Sequence, residues 1–214
     1  MSHQPAENSP FTRRPGQQSV PAPAHVITSR RRLAIIPEGE DLHEQHVRIG
    51  EVKVALRHGE VLIAIGLGSC VGVAIADQHE GIVAMAHVFL PHSSGRDPGL
   101  VLHGKFADLA IPRLLELLAD NGCSNRARLS AVMVGGARMF EIGNMGAQTL
   151  DVGARNLQAV LEQLERHGVR VVSSATGGTR GRSMRLYAGS CAVTAQEVTE
   201  NEKLIWPQIL RAVA

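Results

Sequence analysis

The sequence predicts an α/β fold, a layered sandwich of mixed β-sheets with flanking helices. Three observations carry this expectation. Apolar, β-branched runs of strand length outnumber the two amphipathic stretches with helical period. Strand pairs and helices mix irregularly, unlike the strand-helix alternation that builds a parallel doubly wound sheet. Hydrophobic residues make up 44% of the chain but aromatics only 3%, so the interior must be packed from Val, Ile, Leu and Ala around abundant glycine. At 214 residues, one core is expected.

The elements follow in order. Residues 1–45 are expected to be a flexible tail rich in Pro, Ser and Arg, since the first 32 positions show no apolar period that would bury a core. Its cluster Arg30 to Arg32 reads as a solubilising feature, with contact to an acidic partner as the alternative. The folded domain is expected over residues 46–205, followed by a short extension, 206–214. VRIGEVKVAL and VLIAIGLGSCVGVAIAD predict strands joined by a tight turn at His58 and Gly59. Gly66, Gly68 and Gly72 argue that the second run bends around Cys70. GIVAMAHVFLP is a strand ended by Pro91, and the polar loop HSSGRDPG follows.

Residues 106–120 predict a helix with Phe106, Leu109, Ala110, Leu114, Leu117 and Leu118 inward, and Pro112 tolerated if early or kinking. ARLSAVMVGGA is a buried strand running into a Gly-Gly turn. Val152 to Gly168 predicts a second helix, with Leu157, Val160, Leu161 and Leu164 inward and Gly168 as its stop. VRVVSSATGG, MRLYAG and CAVTAQ complete the strands, and no repeat at a solenoid period is visible.

Composition excludes several classes. A formal net charge of +2 gives no electrostatic footprint for nucleic acid. No apolar run reaches the roughly 18 residues of a membrane span, and the start lacks a secretory h-region, so a cytoplasmic protein is expected. Three cysteines, Cys70, Cys123 and Cys191, suggest neither a disulfide framework nor a zinc knuckle. His43 and His46 come closest to a helical metal-ligand spacing, but without a third ligand they read as a solvated pair.

Cys70 lies in GLGSCVG, where a glycine-permitted bend can lift a side chain clear of a sheet and leave backbone N–H groups to meet an oxyanion. Composition alone would make it a small buried hydrophobe. A useful thiol also needs a base, and His87 stands in the apolar strand MAHVFL, where a ring must find a partner or carry a desolvation penalty. A core histidine satisfied by a carbonyl is the alternative; beside a glycine-bent cysteine on the preceding strand, the catalytic reading is better. Cys123 suits a capping turn after the first helix, and Cys191 suits packing within an apolar strand. The loop GGTRGRS, Gly177 to Ser183, lacks the lysine and spacing of a phosphate-binding loop.

Taken together, GLGSCVGVAIAD, GIVAMAHVFLPH, KFADLAI, VMVGGARMF, IGNMGAQTLDVGARNLQAV and ATGGTRGRS resemble the CheD chemoreceptor glutamine deamidases over roughly Val47 to Gln196. The resemblance implies a cysteine hydrolase, a protein-glutamine glutaminase with no metal or organic cofactor. Cys70 would attack a glutamine carboxamide on a methyl-accepting chemotaxis receptor, with His87 as base and backbone N–H groups of Gly68, Ser69 and Cys70 as oxyanion candidates. Hydrolysis of receptor glutamyl methyl esters is within the same chemistry. The family commonly carries a threonine six positions before its cysteine, where this chain has Ala64. The carbonyl of Ala64, or the hydroxyl of Ser69 or Thr176, is therefore expected to orient His87. The resemblance also implies a CheC-type phosphatase as partner, and the arginines of GGTRGRS, read as a family-type turn, are expected to touch acidic receptor helices. Two rivals remain: a non-catalytic receptor-binding modulator of the same fold, which Ala64 keeps open, and a small-molecule thiol amidase.

Overall fold

The computed structural model describes residues 36, 42–139 and 151–207. The predicted tail up to residue 41, apart from Ile36, and the extension from 208 onward lie outside the described residues. Among the described residues, two five-stranded sheets and two α-helices form three layers. The first sheet runs in the order β1 (His43–His46), β3 (Glu60–Leu67), β8 (Arg182–Tyr187), β9 (Val193–Glu197), β10 (Lys203–Trp206). The second runs β2 (Val52–Ala55), β5 (Ile82–Val88), β4 (Val71–Asp77), β6 (Leu129–Gly135), β7 (Arg170–Thr176). Both are mixed, since β1 pairs with β3 and β6 with β7 in parallel while the other pairs are antiparallel. The predicted layered α/β sandwich of mixed sheets is the fold observed.

Alternation along β4 explains the layering. Val71, Val73 and Ile75 face one way, into a core shared with α1 (Ala107–Asp120) and α2 (Val152–Arg166). Cys70, Ala74 and Ala76 face the other way, into the core between the sheets with Leu62, Leu67, Met184 and Leu186. Small residues on this inner face let the sheets approach closely. A Cβ on Gly72 would stand 2.9 Å from Leu67 Cδ1 and 3.0 Å from Met184 Sδ. Every residue of β4 is buried, as a central strand covered on both faces requires.

Several expectations are corrected. Strand β1 begins at His43 and β10 runs to the buried Trp206, so strand structure reaches past 46–205 at both ends. His43 and His46 are exposed on a strand, where a spacing of three puts them on opposite faces. The turn at His58 and Gly59 joins β2 and β3, but these strands lie in different sheets; the chain crosses layers there. In α1 the buried stripe is Ala107, Ala110, Ile111, Leu114, Leu115 and Leu118, so Leu109 and Leu117 are only half-buried, and Pro112 lies inside the helix. In α2 Leu161 is 42% exposed, while Asn156 and Gln163 are buried. Cys191 sits outside the strands, in the turn between β8 and β9 at φ 55°, though it is fully buried as a packing residue should be.

Candidate active site

The long glycine-interrupted run divides as its glycines suggest. At Gly66, φ 73°, strand β3 loses register with β8 between Ala64 and Leu67, and the chain turns through Gly68, Ser69 and Cys70 into β4. All three carbonyls of this turn are engaged. The Ala137 N–H donates to Gly68 O at 2.7 Å, Asn156 Nδ2 donates to Ser69 O at 2.9 Å, and the Gly136 N–H donates to Cys70 O at 2.7 Å. In a trans peptide the N–H points opposite to the preceding carbonyl. Fixing the carbonyls of Gly68 and Ser69 therefore aims the amides of Ser69 and Cys70 to the other side of the turn.

Of the three oxyanion candidates, Gly68 is set aside, because its N–H donates to Gly66 O at 2.9 Å. The Ser69 and Cys70 amides meet no backbone acceptor among the described residues. These two remain able to face a developing negative charge.

His87 lies on β5 directly opposite Gly72 of β4. Cys70, two positions from Gly72, therefore comes to the same inner face as the imidazole, at a diagonal position. The absence of a side chain at Gly72 leaves nothing on β4 between them. Nδ1 of His87 is 3.2 Å from the carbonyl of Val47. A carbonyl only accepts, so Nδ1 carries the proton and Nε2 presents its lone pair. That Nε2 is buried and has no hydrogen-bond partner among the described residues, in a residue only 2% exposed. A buried polar atom left open is rare enough to mark a place where another group arrives.

The orienting group thus differs from the candidates read from the sequence. It is the carbonyl of Val47, not that of Ala64 or a hydroxyl of Ser69 or Thr176. The reason is register. His46 pairs with Ile63 in the parallel β1–β3 ladder, and the Val47 N–H donates to Ile63 O at 2.7 Å, which brings Val47 alongside Ala64. Ser69 gives its carbonyl to Asn156, and Thr176 ends β7 opposite Gly135. Since Nδ1 is already held, Ala64→Thr should change the turnover of correctly folded protein by less than about threefold. Adding atoms at a fully buried position should cost about 1–3 kcal/mol of stability. Urea melts beside single-turnover rates check both; a rise of tenfold or more would mean that the Val47 carbonyl is a poor substitute for a hydroxyl.

Electrostatics separate the three thiols. Burial pushes Cys123 up to about 11 and Cys191 up to about 12, the latter's thiol directed at Asp77 O at 3.7 Å, so both are inert. Burial also raises Cys70, against a smaller opposite pull from its own amide. His87 is lowered by burial, with the Val47 hydrogen bond acting the other way. At neutral pH both directions favour the uncharged forms, a thiol at Cys70 and a neutral imidazole at His87. In the GGTRGRS loop, Arg182 is engaged with Gly177 O at 2.6 Å and Glu197 at 2.9 Å, while Arg180 pairs more loosely with Glu197 at 3.7 Å and keeps a side chain 59% exposed.

Sequence reasoning missed Asn156. The available signal was an amide on the face of α2 that also carries Gly153, Ala159 and Val160, where an apolar residue would be expected.

Residues 89–197 match the family model described as CheD chemotactic sensory transduction. The "Probable chemoreceptor glutamine deamidase CheD" of Symbiobacterium thermophilum is 42% identical over 162 residues, 76% of this chain and 97% of that protein. The chain belongs to the CheD family. The "Chemoreceptor glutamine deamidase CheD" of Bacillus subtilis is 33% identical over 74% of this chain and 94% of its own length. That of Thermotoga maritima is 37% identical over the same shares. The CheD family model begins just after His87, but a span of 162 residues in a chain of 214 includes positions 70 and 87 wherever it is placed.

Proposed function

We propose that this CheD-family chain hydrolyses glutamine side chains of methyl-accepting chemotaxis receptors to glutamate, with Cys70 as nucleophile and His87 as general base. The observation that carries the reading is the open, buried Nε2 of His87, its tautomer set by the Val47 carbonyl, on the sheet face that also receives Cys70. The family's printed activity supplies the substrate class.

Chemically, His87 Nε2 takes the thiol proton as Cys70 Sγ bonds to the carboxamide carbon. The carbonyl oxygen becomes an oxyanion facing the amides of Ser69 and Cys70. Collapse of this intermediate breaks the C–N bond, and His87 returns its proton to the departing ammonia. A thioester remains. Water, deprotonated by the same imidazole, then attacks it and releases the glutamate carboxylate, which restores the thiol. The residues supply every proton transfer, so no metal or organic cofactor enters. A resting thiol with a neutral base suits this order, because charge separates only when the substrate is present. Cys70 is 6% exposed, a narrow access that favours a slender side chain ending in the reacting group. An ester in place of the amide fits the same steps, which brings glutamyl methyl esters within reach.

Among the described residues no helix is long and apolar enough to cross a membrane. A cytoplasmic protein meeting the receptors' cytoplasmic helices, with Arg180 toward their acidic faces and a CheC-type phosphatase as a competing partner, completes the proposal. The test is ammonia release from a purified cytoplasmic receptor fragment, with a mass gain of about one unit per converted glutamine. Wild type should release ammonia and Cys70→Ala should not. Binding without release by wild type would overturn the reading in favour of a non-catalytic modulator, and consumption of free glutamine without receptor would favour a small-molecule amidase.

A further inference from the structure

We propose that Asn156 is a positioning residue for the reaction, a clamp between the turn that carries the nucleophile and the strand that carries the base; this rests on the deamidase reading above. Asn156 is fully buried on α2, and its single Nδ2 donates both to Ser69 O at 2.9 Å and to Phe89 O at 3.0 Å. Ser69 precedes Cys70, and Phe89 lies two positions after His87. The last pair of the β4–β5 ladder is Val71 with Val88. Just beyond it the side-chain amide replaces the next backbone rung. It joins two strands that have stopped bonding to each other and holds them at a fixed separation.

The chemical consequence lies in the peptide between Ser69 and Cys70. Its carbonyl is drawn toward α2 by Asn156, so its N–H points away from the helix, free to meet the oxyanion that forms on attack by Cys70. The neighbouring carbonyls are held by Ala137 and Gly136 N–H groups, which follow the end of β6, and among the described residues the middle carbonyl is held by Asn156. Gly153 lets the helix approach so far. A Cβ there would stand 2.5 Å from Gly136 O and 2.7 Å from Ala137 O, so α2 is seated directly against the segment that holds the rest of the turn. The Oδ1 of Asn156 is buried and has no hydrogen-bond partner among the described residues, so the amide carries a desolvation cost that its two donated bonds offset.

Asn156→Asp keeps the shape and removes the donor; Asn156→Ala removes both. Each should lower single-turnover deamidation about 10- to 100-fold, with KM within about threefold, because an oxyanion donor is misaimed while the substrate surface is untouched. Alkylation of Cys70 by iodoacetamide at alkaline pH develops no oxyanion and should stay within about twofold of wild type. A purely structural role would lower both reactions together, and that result overturns the proposal, as does undiminished deamidation. A second arm does not need activity. In Asn156→Asp the Gly136 and Ala137 amides, which donate into the turn, should exchange with deuterium about tenfold faster or more, while amides at the Asp77 end of β4 keep their protection. Unchanged exchange overturns the clamp. If wild type releases no ammonia, the deamidase reading falls while the exchange result still decides whether Asn156 holds the turn.

Discussion

His87→Ala should lower deamidation by about 10²–10⁴-fold, the usual contribution of a positioned general base, while leaving receptor binding in place. The effect is large because His87 is the imidazole that the β4–β5 register brings to the inner face carrying Cys70. The other described thiols are raised to about 11 and 12, and neither is placed at the turn. The pH dependence distinguishes this arrangement from a preformed thiolate-imidazolium pair. Burial lowers His87 below its ordinary value near 6.5, so the imidazole stays neutral at neutral pH and the acid limb of the rate should fall below that value. Burial raises Cys70, so the alkaline limb should lie above the ordinary thiol range. Between the limbs the pair holds one proton, the state that the reaction uses, and the rate should be flat. Iodoacetamide provides the decisive reading: alkylation of Cys70 should climb only at alkaline pH. A plateau of fast alkylation below neutrality would show a resting ion pair and would sink this account of the electrostatics.

The same burial affects stability. A histidine whose folded value is depressed leaves stability unchanged above its unfolded value, where it is neutral in both states. As pH falls through the window between the two values, the unfolded chain takes up the proton first and stability is lost. The chain should therefore weaken in mild acid through this residue, and His87→Ala should flatten that part of the stability profile.

What could be read from the sequence follows the range of the interactions involved. The bend at Cys70, the strand around His87 and both helices were legible, because Gly66, Gly68 and the apolar periods act over a few residues. Partners across the fold were not. Val47 holds His87 from 40 positions away, through a β1–β3 pairing that no local pattern signals, since HEQH carries no strand alternation. The choice of Ala64 was nonetheless close, because Val47 lies beside it in register. Asn156 escaped notice because its partners are 87 and 67 positions distant, and an amide in a helix reads as surface until the packing is known. Leu161 was assigned inward by period alone, yet the face that docks is set by the small Gly153 and Ala159, which contribute little to a hydrophobic count.

Gly135→Ala should be among the most damaging single-methyl changes at this site, costing about 2–5 kcal/mol of stability and most of the activity. Two effects combine there. The backbone has φ 103°, outside what an L side chain tolerates, and the new Cβ would stand 2.4 Å from the carbonyl oxygen of Cys70 and 2.9 Å from Leu67 Cβ. Neither neighbour is a flexible tip, so relief must come from moving the nucleophile's own peptide. That movement breaks the Gly136 N–H bond to Cys70 O and disturbs the aim of the amides beside it. Gly177→Ala is the control: φ is 74° but nothing lies within 4 Å of the added Cβ, so only the backbone strain of about 1–2 kcal/mol should appear. Chemical denaturation of both variants, with deamidation measured where each is fully folded, separates strain from displacement. Equal losses in the two would show that the contact with Cys70 is absorbed elsewhere, and that the turn is not held as tightly as its three engaged carbonyls imply.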